Sequence, residues 1–325
     1  MATHVLAIDI GGTKILTALV SSAGDVRARR LIETPNRGVE AVLDVITSST
    51  AQVLAESGMR NEQILAVGVD APGPLDPREG VVFEAPNLVG WRNVPLGRLL
   101  AERLGLPIFV EHDATAAALG EWWIGAGRGA HDLIYLTVST GIGGGIIIGD
   151  RLVHGVSGTA GEVGHMTIDV DGPACPCGRS TGCLEVLASG TAIARMAREA
   201  VAAGKHTTVL AMAGGDPGAI GADHVASGAR AGDPAAVEIF TRAATYLGVG
   251  VANLLNLFNP GRVIIGGGVS KAGDLLFGPV RRVATARAFE RPGHDVEILP
   301  AALGDDVGAV GAAAVALQRS GIALR

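Results

Sequence analysis

The sequence predicts an α/β protein built from two similar halves. Two runs of strand, glycine-rich turn and strand stand about 130 residues apart, as a duplicated domain would place them. Around both, strand-like and helix-like segments alternate, the pattern of layered α/β domains. A chain of 325 residues also exceeds one usual hydrophobic core. Two α/β domains facing each other across a cleft are therefore expected.

The elements follow in order. Residues 5–20 hold an apolar run, the stretch Asp9-Ile10-Gly11-Gly12-Thr13-Lys14 and a second apolar run, which reads as two strands joined by a tight turn. Residues 64–69 read as a strand, 94–104 as a helix and 107–111 as another strand, after which Asp113 opens a helix. Residues 133–148 repeat the opening plan around Ser139-Thr140-Gly141-Ile142-Gly143-Gly144-Gly145. Residues 203–233 read least clearly: a polar loop, then Ala222-Asp223-His224-Val225 starting a short helix. Helical spacing returns over 237–257 and stops at Asn259-Pro260-Gly261. A strand at 263–265, the turn Gly266-Gly267-Gly268 and an alanine-rich helix over 307–317 complete the chain.

Composition narrows the function. Hydrophobic residues are 48% and charged residues 18%, so the chain forms cores rather than a disordered coil. Aromatics are 3%, which leaves the packing to Val, Leu, Ile and Ala. A net charge of −6 disfavours nucleic acid as a partner. The longest apolar stretch, 133–149, is broken by Thr137, Ser139, Thr140 and glycines, so it reads as a strand pair and not a membrane span. Without a targeting segment, a soluble cytoplasmic enzyme is expected.

All three cysteines, Cys175, Cys177 and Cys183, follow His165 closely, a Cys3His set with the ligand count of a closed structural zinc site. An odd thiol count argues against a disulfide framework. The alternative is a chance cluster of loop cysteines. The Asp9 turn is a candidate phosphate cradle: Gly11 and Gly12 expose backbone N–H groups, Thr13 adds a hydroxyl and Asp9 can hold Mg2+. An ordinary glycine hairpin is its alternative, and the second turn at Ser139–Gly145 strengthens the phosphate reading. No Gly-x4-Gly-Lys-Ser/Thr occurs, which excludes a P-loop. Asp113, where a strand gives way to a helix, suits a base accepting a proton from an attacking hydroxyl, although an N-cap aspartate is the commoner reading there. Glu162, His165 and Glu185 bracket the cysteine loop and can accept or donate hydrogen bonds to sugar hydroxyls; otherwise they are solvated loop charges.

Together, Asp9-Ile-Gly-Gly-Thr-Lys, Ala71-Pro-Gly-Pro74, Pro86-Asn87-Leu-Val-Gly-Trp91, the Asp113 segment, Ser139-Thr-Gly-Ile-Gly-Gly-Gly, Ala160-Gly-Glu-Val-Gly-His165, the cysteine loop, Asn259-Pro260 and Gly266-Gly-Gly resemble the ROK family of sugar kinases and repressors. The likeness is closest in pattern to bacterial glucokinases and spans nearly the whole chain. It implies an actin-like ATPase fold of two ribonuclease-H-like domains, 1–117 with 306–325 and 118–305, the second carrying the zinc loop. It implies that ATP with Mg2+ phosphorylates a hexose, usually at the C6 hydroxyl, and that zinc is structural. Asp113 becomes the general base; Asn87, His112, Asp113, Glu162, His165 and Glu185 become sugar contacts. His165, Cys175, Cys177 and Cys183 become zinc ligands. Asp9, Gly11, Gly12, Thr13, Lys14, Thr140 and Gly141 fall to the nucleotide phosphates and their cation, with Gly266, Gly267 and Gly268 beside the adenosine. A homodimer or homotetramer is implied as well.

Two positions depart from the family pattern. His112 stands where most relatives have a sugar-bonding Asn, and Gly178-Arg-Ser-Thr-Gly182 carries one residue beyond the usual spacing. Glucose is the favoured hexose, with N-acetylhexosamine or fructose as alternatives, and polyphosphate is a second conceivable donor. A sugar-responsive regulator is the rival from another class; the Asp9 turn lies too near the start of this sequence to follow a DNA-binding module, and the acidic charge also disfavours one.

Overall fold

The protein's computed structural model describes residues 3–324. From the N-terminal side the elements are β1 (His4–Ile10), β2 (Lys14–Ser21), β3 (Val26–Glu33), α1 (Val39–Ser57), β4 (Ile64–Ala71), β5 (Leu75–Asp76), β6 (Val81–Glu84), β7 (Arg92–Val94), α2 (Leu96–Leu104), β8 (Ile108–His112) and α3 (Asp113–Ile124). Then come β9 (Leu133–Val138), β10 (Ile142–Ile148), β11 (Arg151–Leu152), α4 (Leu184–Ala188), α5 (Gly190–Ala202), α6 (Val209–Met212), α7 (Ala222–Arg230) and α8 (Pro234–Phe258). Last are β12 (Arg262–Gly266), α9 (Asp274–Arg287), α10 (Glu290–Asp295), β13 (Glu297–Pro300) and α11 (Val307–Arg319).

The duplication is visible in the sheets. One runs β3-β2-β1-β4-β8 and another β11-β10-β9-β12-β13, so each starts from a hairpin and continues through crossovers. In the first, β1 pairs β2 antiparallel and β4 parallel, and β4 pairs β8 parallel. In the second, β12 lies parallel to both β9 and β13. The parallel strands β1, β4 and β9 are buried nearly throughout, which is why they read as mainly apolar runs rich in Val, Leu, Ile and Ala. A small antiparallel sheet, β5-β6-β7, is added in the first half.

The chain packs as two compact units. The first gathers the described residues through Ala130 with Gly145–Gly161 and those from Ala302 onward; the second holds His131–Gly144 and Glu162–Ala301. The expected boundary between 117 and 118 falls inside α3, and 145–161 groups with the first unit. The reason for α3 is its partner, α11, whose run Gly308 to Leu317 is entirely buried. The two helices touch backbone to backbone: a Cβ on Gly311 would stand 2.3 Å from the carbonyl oxygen of Ala116. Small residues make that approach available, and the whole of α3 follows α11. In the second unit α8 is the central helix, packed by α9, α7, α4 and α5.

Several helices carry no flag in the sequence reading, among them α1, α5 and α9. The helix expected from residue 94 starts at Leu96, because Val94 is paired to Val82 in the small sheet. The least legible stretch, 203–233, holds α6 as well as α7. Its organiser is Asp233, the N-cap of α8, whose carboxylate accepts from Ala235 and Ala236 at 2.9 and 3.1 Å and from the Thr207 and Thr208 hydroxyls at 2.8 Å. Burial alone would raise this carboxyl, but those donors outweigh it and hold it well below the usual carboxylate range.

Candidate active site

In the first unit, the β1–β2 turn projects Gly12, Thr13 and Lys14 into solvent, the position a phosphate cradle needs. Gly11 N–H donates to Lys14 O at 2.9 Å. Thr34, silent in the sequence reading, braces the turn: its hydroxyl donates to Gly11 O at 2.7 Å and its N–H to Thr13 O at 2.9 Å. Asn87 is close by, since a Cβ on Gly12 would fall 2.9 Å from the Asn87 Cβ.

Asp9 ends in register with Asp70 on the neighbouring strand. Asp70 is fully buried, its carboxyl set against that of Asp9 and the backbone of Ile10. Its near neighbour is the Asp9 carboxyl; burial first, then the charge of Asp9, pushes Asp70 well above the ordinary range. Burial also raises Asp9, against a hydrogen bond shared with Asp70, and the charge of Asp113 adds to the rise. Such a pair holds a proton between its members or accepts a cation. A helix end meets it too: a Cβ on Gly308, in the first turn of α11, would lie 2.2 Å from Asp9 Oδ2, so only glycine leaves room.

Asp113 is the first residue of α3, and His112, not Asp113, is its N-cap. The half-exposed Asp113 carboxylate accepts the Ala114 N–H at 2.6 Å, and His112 Nδ1 stands 3.2 Å from the same oxygen. The His112 ring is seated against Gly73, where a Cβ would come within 2.7 Å of it. The first unit thus brings together Asp9, Gly11, Gly12, Thr13, Asn87, His112 and Asp113.

The second unit gathers the rest. Glu185, on the first turn of α4, accepts the Ile142 N–H at 2.8 Å and presses on Gly141, whose substitution would place a Cβ 2.3 Å from the carboxylate. Thr140 lines a cavity of about 510 Å³ with Thr191, Arg198, Arg230, Gly268 and Lys271. Of the three glycines expected beside a nucleoside, Gly268 lines this cavity. Gly266 backs onto Tyr135, and Gly267, at φ +83°, lies so close to Val138 O that a Cβ would be 2.4 Å away. The volume suits a small organic ligand.

Glu162 caps a short helical turn, Val163–His165, that His165 ends, and both are exposed. His165, Cys175 and Cys177 offer ligand atoms within 4.8 Å of one another, with His165 Nδ1 3.7 Å from Cys175 Sγ. A tetrahedral zinc has edges of about 3.6–3.8 Å, so these donors fit it. Cys183 is buried and lies outside that triad. The extra residue is absorbed by a small hairpin in which Cys175 N–H donates to Ser180 O at 2.8 Å and Gly182 N–H to Pro173 O at 2.7 Å. Burial pushes the Cys175 thiol up to about 12, whereas hydrogen bonds from Cys175 and neighbouring amides lower the exposed Cys177. A bound cation reverses the effect of burial, because a coordinating thiol is deprotonated outright.

Asp70, Glu111 and His154 are charged or titratable groups that the sequence reading passed over. Asp70 could have been found, being an acid that directly follows the apolar run Ala66-Val67-Gly68-Val69. His154 lies in a loop with no local signal.

Two five-stranded sheets of one plan, a glycine turn in the first hairpin of each, and an acid at the mouth of a helix define an actin-like α/β phosphotransferase fold. The ROK family's sequence profile matches residues 5–319, and the chain belongs to that family. It is 40% identical over 308 residues to a glucokinase of Halalkalibacterium halodurans, which covers 94% of this chain and 92% of that one. A Streptomyces coelicolor glucokinase is 39% identical over 318 residues, 96% and 97% of the two chains. Among solved structures, a ROK family glucokinase from Streptomyces griseus in complex with glucose and AMPPNP matches with a TM-score of 0.84 at 39% identity, covering 97% of this chain and 99% of that one.

Proposed function

We propose that the chain is an ATP-dependent hexose kinase that phosphorylates the C6 hydroxyl of glucose. The observation that carries the reading is the Asp113 carboxylate, half-exposed at the strand–helix corner and within electrostatic reach of Asp9 beside the glycine turn. Likeness to glucokinases over nearly the whole of both chains supports glucose over other hexoses.

Phosphoryl transfer is mostly positioning and charge neutralisation around a loose transition state. Asp113 orients the C6 hydroxyl and takes its proton as the oxygen bonds to the γ-phosphorus and the bond to ADP breaks. The Gly12 amide and the Thr13 hydroxyl donate to phosphate oxygens, while Gly11, its own N–H spent on Lys14 O, shapes the turn. Asp9 would hold Mg2+, which supplies positive charge to the phosphates when bound. Asn87, His112, Glu162, His165 and Glu185 bond sugar hydroxyls, with His112 donating where relatives use an amide. The nucleoside occupies the cavity lined by Thr140 and Gly268. His165, Cys175 and Cys177, with Cys183 as fourth donor, would hold a structural zinc ion, which would brace the sugar-binding loop.

The test is an ADP-release assay with glucose, mannose, N-acetylglucosamine, N-acetylmannosamine and fructose. Turnover is expected to be highest with glucose. No release with any of the five sinks the proposal, and a clear preference for an N-acetylated sugar transfers it to that substrate.

A further inference from the structure

Glu111 and His154 have no part in the mechanism above, yet their contact reaches the residue beside Asp113. Glu111 stands one place before His112 on β8, in register with Asp70, and its side chain is 3% exposed. Both of its oxygens are engaged. Oε1 accepts the His112 N–H at 3.0 Å, and Oε2 lies 2.7 Å from Nε2 of His154. A buried carboxylate without such a partner would be costly, so the imidazole is what lets an acid sit there.

His154 is itself held. Its carbonyl accepts the Ala160 N–H at 3.0 Å, and Arg78 donates to Gly155 O and Val156 O at 3.0 and 3.1 Å. Arg319 donates to Pro77 O at 2.6 Å, next to Arg78. The charged groups facing the imidazole are Glu111, Arg319 and Arg78. At the corner it reaches, Asp113 accepts the Ala114 N–H and lies beside the His112 ring, but His112, the N-cap of α3, makes no side-chain capping bond. The clamp behind the corner is Glu111.

We propose that His154 is a positioning residue for phosphoryl transfer: through Glu111 it fixes the His112 amide, and with it the corner from which Asp113 reaches the sugar hydroxyl. The inference rests on the hexose-kinase reading. A drift of about 1 Å in a reacting group can cost about 100-fold in rate, so a clamp one residue from the base acts on kcat.

Two full-length variants of similar side-chain length separate this from a merely stabilising pair: H154Q, which can donate to Glu111, and H154M, which cannot. The expected result is a kcat for H154M at least about tenfold below that of H154Q, with the KM for ATP within about twofold in both. Equal kcat values overturn the proposal, as does a loss confined to melting temperature. Should H154M fail to fold, E111Q against E111Q/H154M repeats the comparison without a buried charge; the double variant is expected to be the slower by a similar factor, and equal rates again overturn it. A wild-type chain that releases no ADP with any hexose would instead remove the kinase reading.

Discussion

Replacing Asp70 with asparagine should make the protein more stable at neutral pH, although the residue is fully buried. The wild-type carboxyl is fully buried and faces a second acid, Asp9, so its charge is poorly compensated. Leaving a buried polar group unsatisfied costs about 1–3 kcal/mol, more when it is charged. The asparagine amide is close in shape, donates to Asp9 and removes one of the two acids. The effect depends on pH. In the unfolded chain an aspartate loses its proton near pH 4, whereas burial and the neighbouring acid raise both carboxyls in the folded state. Above about pH 4 the folded state therefore binds more protons than the unfolded one, and stability falls as pH rises, by about 1.4 kcal/mol per unit for each proton retained. Below that pH the penalty is absent. Thermal unfolding of wild type and D70N in magnesium-free buffer at pH 4.5 and pH 7.5 reads this directly. At pH 7.5 D70N is expected to melt higher, by about 2–4 °C per kcal/mol for a unit of this size, and the gain should shrink towards zero at pH 4.5. A lower melting point at pH 7.5, or a gain independent of pH, would falsify the reasoning.

Other outcomes follow from the same geometry. D113N should lower kcat by about 10²–10⁴ with a smaller change in the KM for glucose, measured by ADP release; an unaltered kcat removes Asp113 from the chemistry. Protein purified without chelator should carry about one zinc per chain by elemental analysis, and C177S about half or less. Comparing C183S tests the fourth donor: full zinc retention would place Cys183 outside the coordination sphere. D233A should cost about 2 kcal/mol in urea unfolding at pH 7, since several donors lose their shared acceptor. The Asp233 carboxyl is depressed in the folded state, so its contribution is present above about pH 4 and lost as pH falls through its lower folded value. A D233A deficit undiminished at low pH would count against that account.

Local pattern made much of this protein legible. The hairpins at Asp9 and Ser139 were readable because a glycine turn between apolar runs has few other conformations, and the cysteine loop because no other cysteine competes for pairing. The acid that begins α3 was visible as a break between a strand and a helix. Its neighbour His112 turned out to be the N-cap, a distinction of one residue that depends on backbone dihedrals rather than residue type. Helix α11 was readable from its alanines, but not that it would take α3 into the first unit, because that follows from backbone contact at Gly311 and Ala116.

The α/β class, the two glycine turns, the Cys/His loop and the identity of the acid at 113 are all legible in the chain, since each is carried by residue types within a short window. The tertiary structure alone decided that Asp70 confronts Asp9, that Thr34 braces the first turn and that His154 reaches Glu111 from 43 residues away. Those pairings arise from strand register and loop docking, which bring distant side chains within hydrogen-bond range and leave no periodicity in the chain to announce them.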